Sequence, residues 1–290
     1  MPLLRLIFVF FALLCLASCA SIAEPLNKLL DSAPKPSAFV KNGRVSNLTA
    51  DALTLTLDVE VENPYAVALP LTAMDYAFSF SGQRNVAPLL KGMMDSPGSI
   101  PAKDSKVLQV PVQVGYQELL NAVKGLKPGM VAVYKADLNL LADMPPRREP
   151  LRLPISYRGE VPVPAPPEVS AQAIEWDKLS LNNAAGLLKL NIRNPNEFDV
   201  TFSNMEYNFT LGGQSILNGK IAEALELASN KEEPVEIPFS IRAMDLGLAA
   251  FSMLRKGESD YSISGDVDIQ TPFGNLSKSY LNSGAVTMKR

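Results

Sequence analysis

The sequence predicts a mainly β protein made of two tandem β-sandwich domains. Two stretches, residues 57–83 and 188–214, read alike position by position, and their pairs Asn63-Pro64 and Asn194-Pro195 lie 194 − 63 = 131 positions apart. In both stretches apolar and polar residues alternate with a period of two, which is the pattern of half-buried strands. Several short strands separated by turn residues are typical of sandwich domains. The repeat sets the number of domains at two.

The strand before each Asn-Pro pair should bury its apolar side. In the first copy Leu57, Val59 and Val61 alternate with acidic residues, and the second copy repeats the apolar positions 131 residues later. Proline lacks an N–H group and holds the preceding residue in an extended conformation, so each pair should end its strand. We interpret the pairs as structural, because an Asn side chain can bond the nearby backbone where the chain turns. A ligand-binding Asn is the alternative.

The next strand carries methionine and aromatic residues at alternate positions. They are Met74, Tyr76, Phe78 and Phe80 in the first copy and Met205, Tyr207, Phe209 and Leu211 in the second. Side chains at this spacing all point to one face of a sheet, so the stripe predicts the interior of a sandwich. The alternative is an apolar groove that binds a ligand along this strand.

A later strand and a helix complete each copy. Pro111 and Pro238 lie mid-strand at an offset of 238 − 111 = 127, which places a loss of 131 − 127 = 4 residues in the loop before them. A proline cannot donate to a ladder, so both strands should lie at sheet edges. Apolar residues at i, i+3, i+4 and i+7 predict a helix from Tyr116 to Val123, and residues 243–250 keep part of that face. The predicted fold is therefore two immunoglobulin/fibronectin-like β-sandwich domains, each with one helix.

The chain begins with the pattern of a lipoprotein signal. Residues 1–18 hold one charge, an apolar run too short to span a membrane, and small residues. The stretch Leu16-Ala17-Ser18-Cys19 resembles a bacterial lipobox, in which a peptidase cuts before a cysteine that has received a diacylglyceryl group. Of the two cysteines, Cys15 lies in the discarded run, so the mature chain would keep Cys19 alone and form no internal disulfide. An ordinary signal peptide with an incidental cysteine is the alternative.

Lipidation of Cys19 predicts a membrane as a partner, reached through N-terminal acyl chains, because two or more chains anchor a protein stably. Ala20 stands where inner-membrane retention signals usually carry Asp, and the resemblance to that sorting rule favours the periplasmic face of the outer membrane. Residues 19–38 contain three prolines and would form the lipidated tether. The domains then occupy residues 39–165 and 166–290, joined at a proline-rich linker.

The composition argues against several kinds of chemistry. The chain has 27 basic and 30 acidic residues, a net charge of −3 and no histidine. Nucleic-acid binding depends on clustered Lys and Arg, which this sequence lacks. Without histidine, the usual serine triad and most transition-metal sites are ruled out. The densest carboxylate set, Asp58, Glu60 and Glu62, falls on the exposed side of one strand, so we expect no enzyme activity, no cofactor and no metal site.

The second copy shows the fuller set of motifs. One strand ends in Asn194-Pro195-Asn196, the next reads Tyr207-x-Phe-x-Leu-x-Gly, and a late strand reads Val235-x-Ile-Pro before the helix. These features resemble the late embryogenesis abundant type 2 family, whose domains are also called WHy domains, for water stress and hypersensitive response. The resemblance covers nearly all of the chain from Val40, although the first copy has Tyr65 in the third motif position. It implies a compact sandwich, a link with desiccation and freezing, protection by shielding other proteins or membranes, and no reaction.

Three functions are open on the sequence. The first is a non-enzymatic, lipid-anchored periplasmic protein that protects envelope proteins or membranes under desiccation. The second is a module that binds or transfers a lipid or another apolar ligand, in a groove beside the aromatic strand. The third is an envelope scaffold whose edge strands recruit a partner by strand addition. The expected partners are accordingly a membrane, lipid and client proteins, and not nucleic acid.

Overall fold

The computed structural model describes residues 34–143, 149–180, 182–242, 244, 254–255 and 257–289. The predicted signal sequence, Cys19 and most of the predicted tether lie outside these residues. The elements of the first domain are β1 (Ser37–Leu48), β2 (Ala52–Glu62), β3 (Leu69–Phe80), β4 (Leu90–Ile100), β5 (Ser105–Gly115), α1 (Tyr116–Ala122), β6 (Val131–Ala142) and β7 (Leu151–Pro162). Those of the second domain are β8 (Glu168–Leu179), β9 (Ala184–Arg193), β10 (Val200–Ser203), β11 (Met205–Leu211), β12 (Gln214–Ile221), β13 (Leu225–Leu227), β14 (Glu232–Ile241), β15 (Glu258–Thr271) and β16 (Gly274–Lys289).

The first domain is a sandwich of two antiparallel sheets. One sheet has the strand order β1-β2-β5 and the other has the order β4-β3-β6-β7. In β2 the side chains of Leu55, Leu57 and Val59 are at most 1% exposed, because a period of two places them all on the inner face. The opposite side of the core comes from β3 and β6, where the rings of Phe78 and Tyr134 lie 5.6 Å apart. The predicted β-sandwich is confirmed.

The second domain repeats this arrangement and closes one side of it. Strands β14, β9 and β8 take the places of β5, β2 and β1, and strands β12, β11, β15 and β16 take those of β4, β3, β6 and β7. Residues 287–289 of β16 also pair in parallel with β8, so the two halves join in one nine-stranded sheet. Asn204, with a φ of 50°, separates β10 from β11 where the first domain has the single strand β3. The two cores are therefore built alike, but among the described strands only those of the second domain form a backbone ladder across this side.

The edge strands and the first helix lie where the sequence predicts them. Strand β5, which contains Pro111, and strand β14, which contains Pro238, each end a row of paired strands, as expected for strands that lack a donor. Helix α1 buries Tyr116 and Leu119. The helix expected at residues 243–250 falls almost entirely outside the described residues.

The stretch interpreted as a loop between the repeated strands is largely a strand. Residues 90–100 form β4 and residues 214–221 form β12, each at an edge. Tyr76 pairs with Gly92 and Tyr207 with Gly219, at offsets of 207 − 76 = 131 and 219 − 92 = 127. The loss of four residues therefore falls at the hairpin end of these strands, before Gly92 and Gly219. Glycines, Pro97 and a bulge at Ser96, which has a φ of 47°, break the alternation that would reveal β4.

Tyrosine side chains lie over glycines of the neighbouring strand in both domains. The pairs are Tyr76 over Gly92 and Tyr134 over Gly159 in the first domain, and Tyr207 over Gly219 and Tyr261 over Gly284 in the second. A Cβ atom at Gly219 would stand 2.8 Å from the Tyr207 hydroxyl, so only glycine leaves room for the ring. Gly159 and Gly284 lie at an offset of 284 − 159 = 125. This offset aligns the last strands of the two copies, β7 and β16, whose sequences alone match only loosely.

Candidate functional site

Each domain has two ends, which we call the Asn-Pro end and the helix end. The Asn-Pro end holds the Asn-Pro pair and the first residues of the domain. The helix end of the first domain holds α1 and the turn at residues 127–130. The domains lie in series, and the Asn-Pro end of the second contacts the helix end of the first, where the Glu197 N–H donates to the Gly129 carbonyl at 2.8 Å.

Asn63 holds the Asn-Pro end of the first domain together. Its Nδ2 group donates to carbonyl oxygens of two loops, those of Val67 (2.8 Å), Ile100 (3.2 Å) and Pro101 (2.9 Å). Its Oδ1 accepts the Tyr65 N–H at 3.0 Å. The side chain is 2% exposed, and a buried polar group costs free energy unless it is bonded. The amide therefore cross-links the two loops while its own polar atoms are satisfied.

Asn194 makes the same cross-link in the second domain. Its Nδ2 group donates to the carbonyl oxygens of Phe198 (2.9 Å), Leu227 (3.1 Å) and Ala228 (3.1 Å). These acceptors are the counterparts of those in the first domain, because they lie at the two offsets of the repeat, 198 − 67 = 131 before the four-residue loss and 227 − 100 = 127 after it. Its Oδ1 accepts the Asn196 N–H at 2.9 Å. The first motif position thus serves the backbone of the domain itself, and the hydrogen-bonding groups of both Asn side chains are occupied.

The third motif position differs between the copies in residue and in role. Asn196 is fully buried; its Oδ1 accepts the Ala165 N–H at 2.8 Å and its Nδ2 donates to the Ala165 carbonyl at 3.1 Å. Ala165 lies in the connection between the domains. Tyr65, at this place in the first copy, packs against the apolar core of its own domain. The sequence shows the difference but not its purpose, because the partner of Asn196 is a backbone group of the linker.

The residues suggested to line an apolar groove lie mostly in the interior. Those at most 5% exposed are Met74, Phe78, Phe80, Met205 and Phe209. Tyr76 and Tyr207 are half-buried, because each ring covers a glycine of the next strand. The stripe accordingly packs between the sheets, and the clefts described next are lined by other residues.

Open clefts lie on the polar surface of the second domain. One, of about 470 Å³, lies at β10, β13 and β15 and includes Asp199 and Glu226. A cleft of about 310 Å³ beside it includes Asp268, whose pKa is lowered because Ser277 and Asn204 donate hydrogen bonds to its carboxylate. Among the described residues, no group of three or more His, Cys, Asp or Glu residues could hold a metal ion.

Carboxylates on the outer sheet faces form ion pairs across strands. In the first domain Asp58 Oδ1 lies 3.2 Å from Arg44 Nη2. The polarity is reversed in the second domain, where Lys189 Nζ lies 2.9 Å from Glu175 and 3.4 Å from Glu236, and hydrogen bonding to Glu175 raises the Lys189 pKa. Both copies keep the cross-strand pairing but not the sign of the charges. This is the arrangement of surface ion pairs, which contribute little to stability, rather than of a catalytic pair of carboxylates.

The predicted membrane attachment depends on residues outside the described part of the chain. Cys19, the predicted lipidation site, belongs to them, so its acylation stays a prediction. Within the ranges that the structure describes, no helix combines the length and the apolar character that a bilayer crossing needs.

Comparisons with known proteins connect both domains with one family. A profile described as "Late embryogenesis abundant protein" matches residues 58–159 and 189–279. The chain is 30% identical over 131 residues to the Desiccation protectant protein Lea14 homolog of Glycine max, covering 45% of this chain and 83% of the relative. It is 31% identical over 130 residues to the Late embryogenesis abundant protein Lea14-A of Gossypium hirsutum, covering 45% and 83%. The solution structure of AT1g01470 from Arabidopsis thaliana is 28% identical with a TM-score of 0.37, covering 46% of this chain and 85% of that chain.

Proposed function

This chain belongs to the late embryogenesis abundant type 2 family, and from that membership we propose that it protects other proteins or membranes under water stress without catalysing a reaction. The observation that carries the proposal is the family match in both domains, together with the similarity to desiccation-related relatives. The geometry supports it, since what the two copies share is sandwich core, Asn cross-links and Tyr-Gly pairs. These features build a fold and do not assemble a reactive site.

A protective protein must itself stay soluble when water is withdrawn and every solute is concentrated. Exposed strand edges are the usual route by which β proteins aggregate. Here β5 and β14 carry Pro111 and Pro238, and β4 is bent by a bulge at Ser96. Proline and bulges both block edge-to-edge pairing. We infer that these blunted edges let the protein crowd around client surfaces without joining their aggregates.

The test is recovery of an enzyme after drying. Lactate dehydrogenase would be dried and rehydrated with the Cys19→Ala chain, which removes the lipidation site, or with an equal mass of serum albumin. The proposal expects clearly greater recovery of activity with the protein than with albumin. Leakage of phospholipid vesicles after drying would be measured with the same two proteins. If the protein neither preserves enzyme activity nor reduces leakage better than albumin does, the basis for a protective role is removed.

We further propose that Cys19 carries the acyl chains that hold the protein on the periplasmic face of the outer membrane. The support is the lipobox-like sequence Leu16-Ala17-Ser18-Cys19 and a mature chain with one cysteine. Labelled fatty acid should enter the parent protein and a Cys15→Ser control, and fail to enter Cys19→Ala. The proposal is wrong if Cys19→Ala still takes up label and sediments with membranes.

The alternative of a lipid-binding or lipid-transfer module has less support. Its groove residues fill the space between the sheets, as the burial of Met74 and Phe78 illustrates. Mass spectrometry of the Cys19→Ala chain under native conditions distinguishes the two functions. One lipid bound per chain would favour the module, and protection without bound lipid would favour the proposal.

A further inference from the structure

We infer that the two domains dock through a built interface and move as one rigid body, with Asn196 as the residue that positions the joint. Relative motion is the usual expectation for domains joined by a short connection. Here hydrogen bonds from three separate parts of the second domain reach the linker and the helix end of the first.

The first part is the third motif position. Asn196 bonds both the N–H and the carbonyl of Ala165, at 2.8 and 3.1 Å, so its amide pairs with the linker as a neighbouring strand would. The amide is held in place because its Nδ2 also donates to Asn194 Oδ1 at 2.8 Å. Asn196 and Ala165 are 0% and 5% exposed. Breaking these bonds without a replacement would leave buried polar groups unpaired, which is unfavourable.

The second part is the residue after it. The Glu197 N–H donates to the Gly129 carbonyl at 2.8 Å, and Glu197 Oε2 accepts the Val131 N–H at 3.1 Å. Gly129 has a φ of 94°, and a Cβ atom there would stand 2.6 Å from the Pro195 carbonyl oxygen. Glycine is thus required by the backbone conformation and by the close approach of the second domain. The first domain is shaped for this contact.

The third part is the last hairpin of the second domain. Lys278 Nζ donates to the Pro164 carbonyl at 2.9 Å and lies 5.7 Å from the centre of the Tyr116 ring, which belongs to α1. Lys278 is half-buried, and this burial lowers its pKa, so the cation is partly withdrawn from water at the joint. Together the three contacts tie the second domain to the linker at Pro164 and Ala165 and to the first domain at Gly129 and Val131.

Spin-label distances test the inference directly. Nitroxide labels would be attached to cysteines introduced at Met93 and Leu281, in a full chain that also carries Cys15→Ser and Cys19→Ala. These two positions are 59% and 73% exposed and lie on strands of different domains. We expect one narrow distance distribution in the parent and a distribution at least twice as broad with Asn196→Ala. The matched control Asn275→Ala, an exposed Asn of the same domain, should leave the distribution narrow. A broad distribution in the parent, or a narrow one with Asn196→Ala, would overturn the inference.

Hydrogen exchange covers the case in which Asn196→Ala unfolds the second domain. Glu197→Ala changes an exposed side chain and removes only the bond to the Val131 N–H. A loosened joint should speed exchange of both the Val131 and the Glu197 amides by about tenfold or more, since both are protected by docking. Exchange at interior amides of β9, such as Leu190, should not change. Unchanged exchange at the Glu197 amide would mean that the domains do not dock cooperatively.

Discussion

Replacing Asn194 with alanine tests the idea that the motif is a structural cross-link. The Asn194 side chain makes five hydrogen bonds, three to carbonyl oxygens and two from the Asn196 backbone and side chain. Alanine can make none of them. The groups that lose these bonds are buried or partly buried, so most of them cannot bond to water instead.

The expected loss of unfolding free energy follows from these bonds. An unsatisfied buried donor or acceptor costs about 1–3 kcal/mol, and losses within one network are not additive. Because the three carbonyls share two N–H groups and the loops can relax, we expect a total of about 3–5 kcal/mol. A typical domain has only about 5–15 kcal/mol to lose. Asn63→Ala should cost the first domain slightly less, since Asn63 makes four such bonds.

Urea unfolding followed by tryptophan fluorescence measures this loss, because Trp176, the one tryptophan, belongs to the second domain. The urea midpoint should fall sharply for Asn194→Ala. For Asn275→Ala, which is a surface change, the free energy of unfolding should stay within about 0.5 kcal/mol of the parent value. A loss below about 1 kcal/mol for Asn194→Ala would refute the cross-link and return the motif to the ligand-binding interpretation.

Three further predictions concern the same variants and their neighbours. Asn194→Asp would place a carboxyl group against buried carbonyls, which raises its pKa in the folded state. The stability of this variant relative to the parent, measured by urea midpoints, should therefore be greatest below about pH 4 and fall as the pH rises through the raised value. Gly92→Ala should cost about 1–3 kcal/mol, because the new Cβ overlaps the Tyr76 ring, and adding Tyr76→Leu should recover part of the loss in a double-mutant cycle. The hydrogen bond from Lys135 lowers the Asp137 pKa, so this carboxylate stabilises the folded state above about pH 4 and the stabilisation is lost as the pH falls. Asp137→Asn should therefore make the urea midpoint depend less on pH below about pH 4. The same pH dependence in the variant and the parent would contradict this prediction.

Much of the fold could be predicted because strands and edges leave local signals. Alternation places Leu57 and Leu188 in the core, and a mid-strand proline places β5 and β14 at edges. Strand β4 could not be predicted from alternation, because its bulge at Ser96 interrupts the period of two. Parallel pairing of β16 with β8 joins residues more than a hundred positions apart, and periodicity carries no information about such a contact.

The role of the third motif position could not be predicted for a related reason. Comparison of the copies shows that Asn196 replaces Tyr65, and a departure of this kind argues against shared chemistry. What Asn196 binds is the Ala165 backbone, and every residue offers the same backbone groups. A contact made to the main chain of a linker leaves no side-chain pattern to find.

The way in which one domain docks on the other also bears on polymerisation. A contact between unlike ends of one repeated unit is open-ended, so that identical units would add indefinitely into a filament. The Asn-Pro end of the first domain carries Tyr65 and Ala66 where the second carries Asn196 and Glu197. Neither side chain can reproduce the amide and carboxylate contacts, so we expect that the first domain does not dock in this way on another copy of the chain. On this reasoning, the departure from the motif in the first copy would prevent end-to-end polymerisation of the protein.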